Sequence, residues 1–321
     1  DIGFERAAVG DRYVLAKLRD TGGVLGGETS GHVLTLDLTT TGDAMIAALQ
    51  VLAVMRETGR SLAELTAGLQ LLPQHMVNVK VARRFDPTSI PAVVAARAAQ
   101  PGWAKATAFN RGQIMYRIAE MLEGRSDQFA QEISLQTGAS AKDSLQEVSD
   151  SVDLLVWYAG WSDKLPSLAG STNPVSGPYY NFTIPEPLGV VGAIATIDKP
   201  LLGFIAAIAP ILVSGNTAVA LASSSAPLSA ISFVEVVATS DLPNGVLNIL
   251  SGQQSELAPW FASHMDIDGL DISGLPIDQH GAVKEAGVEN LKRISSFTKI
   301  SEPGRILAFL EAKTIWHPIG N

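Results

Sequence analysis

The sequence contains no cysteine among its 321 residues. That excludes a disulfide framework, a thiolate metal site and any cysteine nucleophile within it. Charge is sparse as well: 17% of residues are charged, and 32 acidic residues against 23 basic ones leave a formal net charge of −9. An excess of that sign excludes sequence-independent nucleic-acid binding, which needs clustered Lys and Arg to displace counterions from phosphate. Long apolar runs are also missing. The longest, 188–213, is interrupted by Asp198, Lys199, Pro200 and Pro210, whereas a membrane span needs about 20 consecutive apolar residues. A buried strand followed by a core helix is expected there, and no membrane association. No basic-then-apolar signal segment follows Asp1. The start therefore reads as a truncated or processed end, and a cytoplasmic location is expected.

Hydrophobic residues make up 46% of the chain, ample for a buried core and for two domains. Two regions of different pattern meet near Phe85 to Pro91. In the first, 8–18 reads as a short helix, 22–31 as a glycine-rich loop and 32–36 as a strand. Met45, Leu49, Leu52 and Met55 recur at helical spacing across 44–58. Ser61 followed by Glu64 is a capping-box start for another short helix, and 77–81 reads as a strand. The second region opens with helical segments at 92–100, 110–124, 127–136 and 141–161. From Gly189 onward, short β-branched-rich runs at 189–196, 217–222, 246–250 and 267–272 alternate with helical stretches at 201–214, 227–240 and 255–264. Such alternation predicts a parallel sheet covered on both faces. A last helix is expected over 279–295, within a helical tail from 275 to 321.

Several short motifs in the second region come in a fixed order: Asn110-Arg111-Gly112-Gln113, Glu186-Pro187-Leu188-Gly189-Val190-Val191-Gly192, Gly215-Asn216-Thr217 and Leu242-Pro243-Asn244-Gly245-Val246-Leu247-Asn248. On these, about 92–274 resembles the aldehyde dehydrogenase family. The resemblance implies an α/β fold with a Rossmann-like parallel-sheet cofactor domain, and NAD(P) as the cofactor class. It also implies that key contacts are lost. The family's Pro-Trp-Asn segment, whose Asn amide meets the developing oxyanion, corresponds to Thr196-Ile197-Asp198, where a carboxylate would repel that charge. The ribose-binding Lys-Pro-Ser-Glu segment corresponds to Leu221-Ala222-Ser223-Ser224, so Leu221 and Ser224 replace both polar partners. The glycine-rich turn has become Gly252-Gln253-Gln254-Ser255, and Phe-Thr-Gly-Ser is reduced to Asp271-Ile272-Ser273-Gly274. No catalytic residue is expected, the tail is too short for the family's catalytic domain, and no cofactor is expected to bind tightly.

The first region, about 1–86, carries Val9-Gly10-Asp11-Arg12-Tyr13, Leu25-Gly26-Gly27-Glu28-Thr29-Ser30-Gly31-His32 and Thr40-Thr41-Gly42-Asp43. It resembles a phosphohexomutase of the phosphoglucosamine mutase type, as a smaller α/β fragment spanning the end of domain III and the start of domain IV. The resemblance makes Glu28 and Ser30 sugar contacts, with His32 beside them. A carboxylate and a hydroxyl on a glycine-rich loop can hydrogen-bond adjacent sugar hydroxyls. The family's phosphoserine, Asp-rich Mg²⁺ loop and phosphate-clamping loop are absent, so a lone sugar loop cannot transfer phosphoryl groups.

The five histidines, His32, His75, His264, His280 and His317, show no His-x-x-x-His pair, and Asp266, Asp268 and Asp271 lack the glycine and terminal glutamate of a calcium loop. No metal site is expected. Trp157 and Trp161 share one helical face, which packing explains. The expectation is a catalytically inactive fusion, whether of gene-fusion, truncation or assembly origin. Two roles stay open: weak nicotinamide-cofactor binding, beside an intact aldehyde dehydrogenase homologue as partner, or a non-catalytic interaction protein. Sugar-phosphate binding through Gly26 to His32 is the further alternative.

Overall fold

The computed structural model describes residues 3–7, 10–27, 32–68 and 90–319. The chain divides into two compact units, Asp1–Ala82 and Arg83–Asn321.

In the first unit, α1 (Asp11–Thr21) ends on Gly22 in the left-handed conformation. A hairpin of β1 (Leu25–Gly27) and β2 (Val33–Thr35) follows, paired antiparallel with Gly26 opposite Leu34. Leu18 and Leu34 are its buried apolar side chains. A side chain at Gly26 would collide with Val14, so the glycine lets the hairpin lie close against α1. The helix α2 (Ala44–Thr58) starts where Asp43 Oδ1 accepts hydrogen bonds from the amides of Met45 and Ile46. The expected capping box forms at Ser61 and Glu64 and begins α3 (Leu62–Thr66). None of the residues of α2 is buried. The strand expected at 77–81 and the junction at 85–89 lie outside the described residues.

The second unit is α/β. Four helices come first: α4 (Pro91–Lys105), α5 (Ala108–Glu123), α6 (Ser126–Thr137) and α7 (Ala141–Ala159). Thr107 and Ser140 cap α5 and α7 through their hydroxyls, and Gly138 closes α6 in the left-handed conformation. A short α8 (Leu165–Ala169) leads to β3 (Ser171–Asn173) and β4 (Tyr179–Pro187). Alternation then sets in: β5 (Val190–Ile194), α9 (Pro200–Val213), β6 (Thr217–Leu221), α10 (Leu228–Ala238), β7 (Leu247–Leu250), α11 (Gln254–Ser263), β8 (Gly269–Asp271), α12 (His280–Val288) and β9 (Arg293–Ser295). These five strands form one parallel sheet in the order β7-β6-β5-β8-β9. The apolar run 188–213 is the buried strand and core helix expected of it: every residue of α9 is buried.

Strand alternation sorts side chains to two cores. Val191 and Ala193 of β5 and Ala218 and Ala220 of β6 face the core built on α5, α6, α7, α9 and α10. Val190, Ile194, Val219 and Leu221 face the other, against α4 and α11. The small alanines on the first face leave room for Phe204 and Phe233, whose rings meet edge to face at 5.8 Å.

The tail departs from the expected helix. Its helix stops at Val288, and β9 pairs in parallel with β8. After α13 (Pro303–Leu307), β10 (Leu310–Pro318) lies antiparallel to β4 along nine residue pairs, in a sheet of order β10-β4-β3. The segment 275–319 is thus a mixed helix-and-strand extension, because β10 finds a distant partner that local periodicity does not reveal.

Candidate cofactor-type site

In a doubly wound parallel sheet, ligands bind outside the carboxyl ends of the strands, where strand order reverses. Here that point lies between β5 and β8, the neighbours that connect in opposite directions. Main chain and a buried side-chain amide lie close to it. A side chain at Gly274 would collide with the carbonyl oxygens of Ile194 and Ala195, so the chain after β8 presses directly on the end of β5. From the α11 side, Gln254 is only 4% exposed. Its Nε2 donates to the Ala195 carbonyl at 2.6 Å, while its Oε1 is buried and without a partner.

The expected degenerate positions surround this point. Asp198 is exposed on the loop after β5. Leu221 ends β6 fully buried in the second core, so no polar group reaches out from that place. Ser224 is half-buried, and the neighbouring Ser223 hydroxyl contacts Ser225 at 3.2 Å. Gly252 is exposed, on the turn into α11, and a side chain there would meet Leu257. Thus Asp198, Gly252 and Gly274 sit on loops at one edge of the sheet, while Leu221 is withdrawn into its interior.

Three charged groups escaped the sequence reading. Glu147, on α7, is buried, and its Oε1 accepts from the amides of Leu201 and Leu202 at 2.9 and 3.2 Å. It thereby satisfies the first turn of α9. Burial pushes its carboxyl upward, against those two amides and Lys199, which hold it down. The signal was available: Glu147 lies on the buried stripe of Ser144, Val148, Ser151, Leu155 and Tyr158.

Second, Asp271 and Arg305 form a buried ion pair, with Oδ2 to Nη2 at 2.7 Å. Burial pushes Asp271 up, opposed by Arg305 and by the hydrogen bonds from Ser273. Asp268 makes a two-point contact with Arg97, at 2.8 and 2.9 Å, and accepts from the Val190 amide. Asp268 and Asp271 thus serve separate cations. No group of three or more His, Asp or Glu residues suited to a metal occurs among the described residues.

Third, the Lys292 ammonium is buried against the carbonyls of His264 and Ile267. Burial lowers its pKa from 10.5 to about 8, with Asp268 opposing and Arg97 assisting. The folded state therefore releases this proton before the unfolded state does. Stability should rise with pH between about 8 and 10.5, by up to ~1.4 kcal/mol per pH unit. Urea midpoints across that window should climb for the native chain and flatten in Lys292→Met; parallel curves would refute the assignment.

In the first unit, His32 is exposed, with Nδ1 3.1 Å from Asp11 Oδ1. Glu28 and Ser30 lie outside the described residues, as does His75. His280 is buried, its Nε2 3.0 Å from the Leu275 carbonyl. Trp157 and Trp161 are half-buried, 5.7 Å apart, and pack on the first core as expected.

Comparison with known proteins agrees with this architecture. Residues 1–71 match the phosphoglucomutase/phosphomannomutase alpha/beta/alpha domain III, and residues 75–296 match the aldehyde dehydrogenase family. The phosphoglucosamine mutase of Acinetobacter baumannii (strain AYE) is 50% identical over 135 residues, 40% of this chain and 29% of its own length. That of Psychrobacter sp. (strain PRwf-1) is 57% identical over 95 residues, 30% of this chain and 21% of its own length. Among solved structures, PnpE from Pseudomonas sp. WBC-3 covers 64% of this chain and 42% of its own, at 31% identity and a TM-score of 0.59. Betaine aldehyde dehydrogenase from Staphylococcus aureus, in complex with NAD+, covers 63% and 40%, at 27% identity and a TM-score of 0.59. The chain therefore spans under a third of these mutases and about two-fifths of these two solved chains. With more than half of its residues matched, it belongs to the aldehyde dehydrogenase family, and it carries a fragment of phosphohexomutase domain III ahead of that match.

Proposed function

We propose that this chain is a non-catalytic member of the aldehyde dehydrogenase family that neither oxidises aldehydes nor holds NAD(P) tightly. The observation that carries the reading is the close packing at the switch point. A dinucleotide needs backbone amides and open space at the carboxyl edge of the sheet, and here Gln254 and the Gly274 main chain press on the end of β5 at that edge. The surrounding positions support it. Asp198 would repel an oxyanion, and Leu221 offers no hydrogen bond to a ribose hydroxyl. The residues present do not fit the family's cofactor, so no hydride-transfer step is derived.

Calorimetric titration of the full chain with NAD and then NADP should give no saturable heat at millimolar cofactor. A saturable isotherm for either would sink the proposal.

The role that remains is interaction. Trp157 and Trp161 are half-buried and pack on the first core. The sheet edge is the better candidate, since β10 is paired with β4 on one side only among the described residues. An open edge accepts another strand by backbone hydrogen bonding. An intact family homologue is the partner proposed for it.

A further inference from the structure

A cavity of about 430 Å³ lies among α4, α5, α8 and β4, away from the carboxyl edge of the parallel sheet. Two cations line it without an anionic partner among the described residues. Arg111 is 8% exposed. Its Nε donates to the Val213 carbonyl at 3.2 Å and its Nη1 to the Ala106 carbonyl at 2.5 Å. These are the chain ends of α9 and α4, where a positive charge is favoured. That leaves Nη2 with no hydrogen-bond partner among the described residues. Lys105, exposed in the last turn of α4, likewise pairs with no carboxylate of the described residues.

The hydroxyl of Ser162, a residue 3% exposed, lies on the same wall and makes no hydrogen bond to the described residues. Gly215, with φ +89°, leaves the flank of the guanidinium bare; a side chain there would stand 3.3 Å from Arg111 Cζ. Burial acts on Arg111 with no opposing carboxylate to offset it. The cavity's one carboxylate, Glu186, is already bound to Lys313 at 2.8 Å. The rest of the lining is largely apolar, including Leu165, Pro187 and Leu310.

A buried guanidinium with no carboxylate beside it among the described residues is costly unless an anion satisfies it. We propose that this cavity binds a small organic carboxylate, its oxygens on Arg111 Nη2 and Ser162 Oγ, and its short apolar body against Leu165, Pro187 and Leu310. Lys105 stands at the mouth as a second positive charge. The site owes nothing to the family's cofactor edge, so its failure would leave the function proposed above untouched.

The test is calorimetric titration of the full chain with butanoate at low salt and neutral pH. Saturable binding is expected, with butanamide and inorganic phosphate both markedly weaker. Lys105→Ala, a change at an exposed residue, should weaken butanoate about twofold to fivefold, the worth of an accessible ion pair. Ser162→Ala should weaken it further while the far-ultraviolet circular dichroism stays unchanged. No saturable heat with butanoate, equal binding of butanamide or of phosphate, or unchanged affinity in both variants would each overturn the proposal.

Discussion

Replacing Arg305 with alanine should cost about 3–5 kcal/mol of folding stability, the loss that follows when one partner of a buried ion pair is removed. The cost arises from what stays behind. Asp271 is fully buried at the end of β8, and its other oxygen accepts from the amide and hydroxyl of Ser273 at 2.9 and 2.5 Å. The Ser273 hydroxyl in turn accepts from the Phe297 amide at 2.9 Å. Arg305 donates to the Lys299 carbonyl and lies 4.8 Å over the Phe297 ring. One guanidinium thus holds 297–305 to the sheet, and α13, at five residues, is too short to persist alone.

The pH dependence of the variant follows from the sign of the Asp271 shift. Burial already pushes this carboxyl up, and Arg305 is the main force opposing that. Without Arg305, folding favours the protonated acid. Arg305→Ala should therefore be least unstable in acid and lose stability as pH rises through the raised pKa. Adding Asp271→Leu should recover much of the loss, because no buried charge then remains. Urea unfolding of the single and double variants decides it: a cost within about 1 kcal/mol for Arg305→Ala would show the pair to be solvated.

Glu147→Ala should cost about 2–4 kcal/mol, since it leaves two buried amides at the start of α9 without acceptors. Glu147→Gln keeps an acceptor oxygen and should cost only about 1 kcal/mol. The contrast separates a capping role from bulk packing, because the two replacements differ most in hydrogen bonding. Equal denaturation midpoints for the two variants would refute the capping role. The consequence reaches the candidate site, for the loop bearing Asp198 runs directly into this helix start.

Sequence reading succeeded where local signals and burial coincide. The strands β5 to β8 were legible because each is a short apolar run between helices of matching length. The tail was not. Lys313 and Thr314 of β10 meet Glu186 and Thr183 of β4 across roughly 130 residues of chain, and neither strand alternates cleanly between apolar and polar residues. At the site, Asp198 and Leu221 could be read as replacements from resemblance, but the close packing at the switch point could not. Gln254 sits in a polar stretch that reads as a turn, and only the fold shows its amide reaching the Ala195 carbonyl. Glu147, Arg305 and Lys292 were missed because their partners are backbone groups or charges brought in from distant elements.

The bare helix α2 bears on how separate copies of the chain meet. Met45 is 76% exposed, Leu49 60% and Leu52 57%, and their spacing puts them on one apolar face of the helix. Against it stands a net charge of −9, whose repulsion between copies fades beyond ~8 Å at physiological ionic strength. Mutual repulsion is therefore screened in salt while apolar attraction is not. Added salt should therefore favour contact between copies through this apolar face, whatever the folding free energy of either unit.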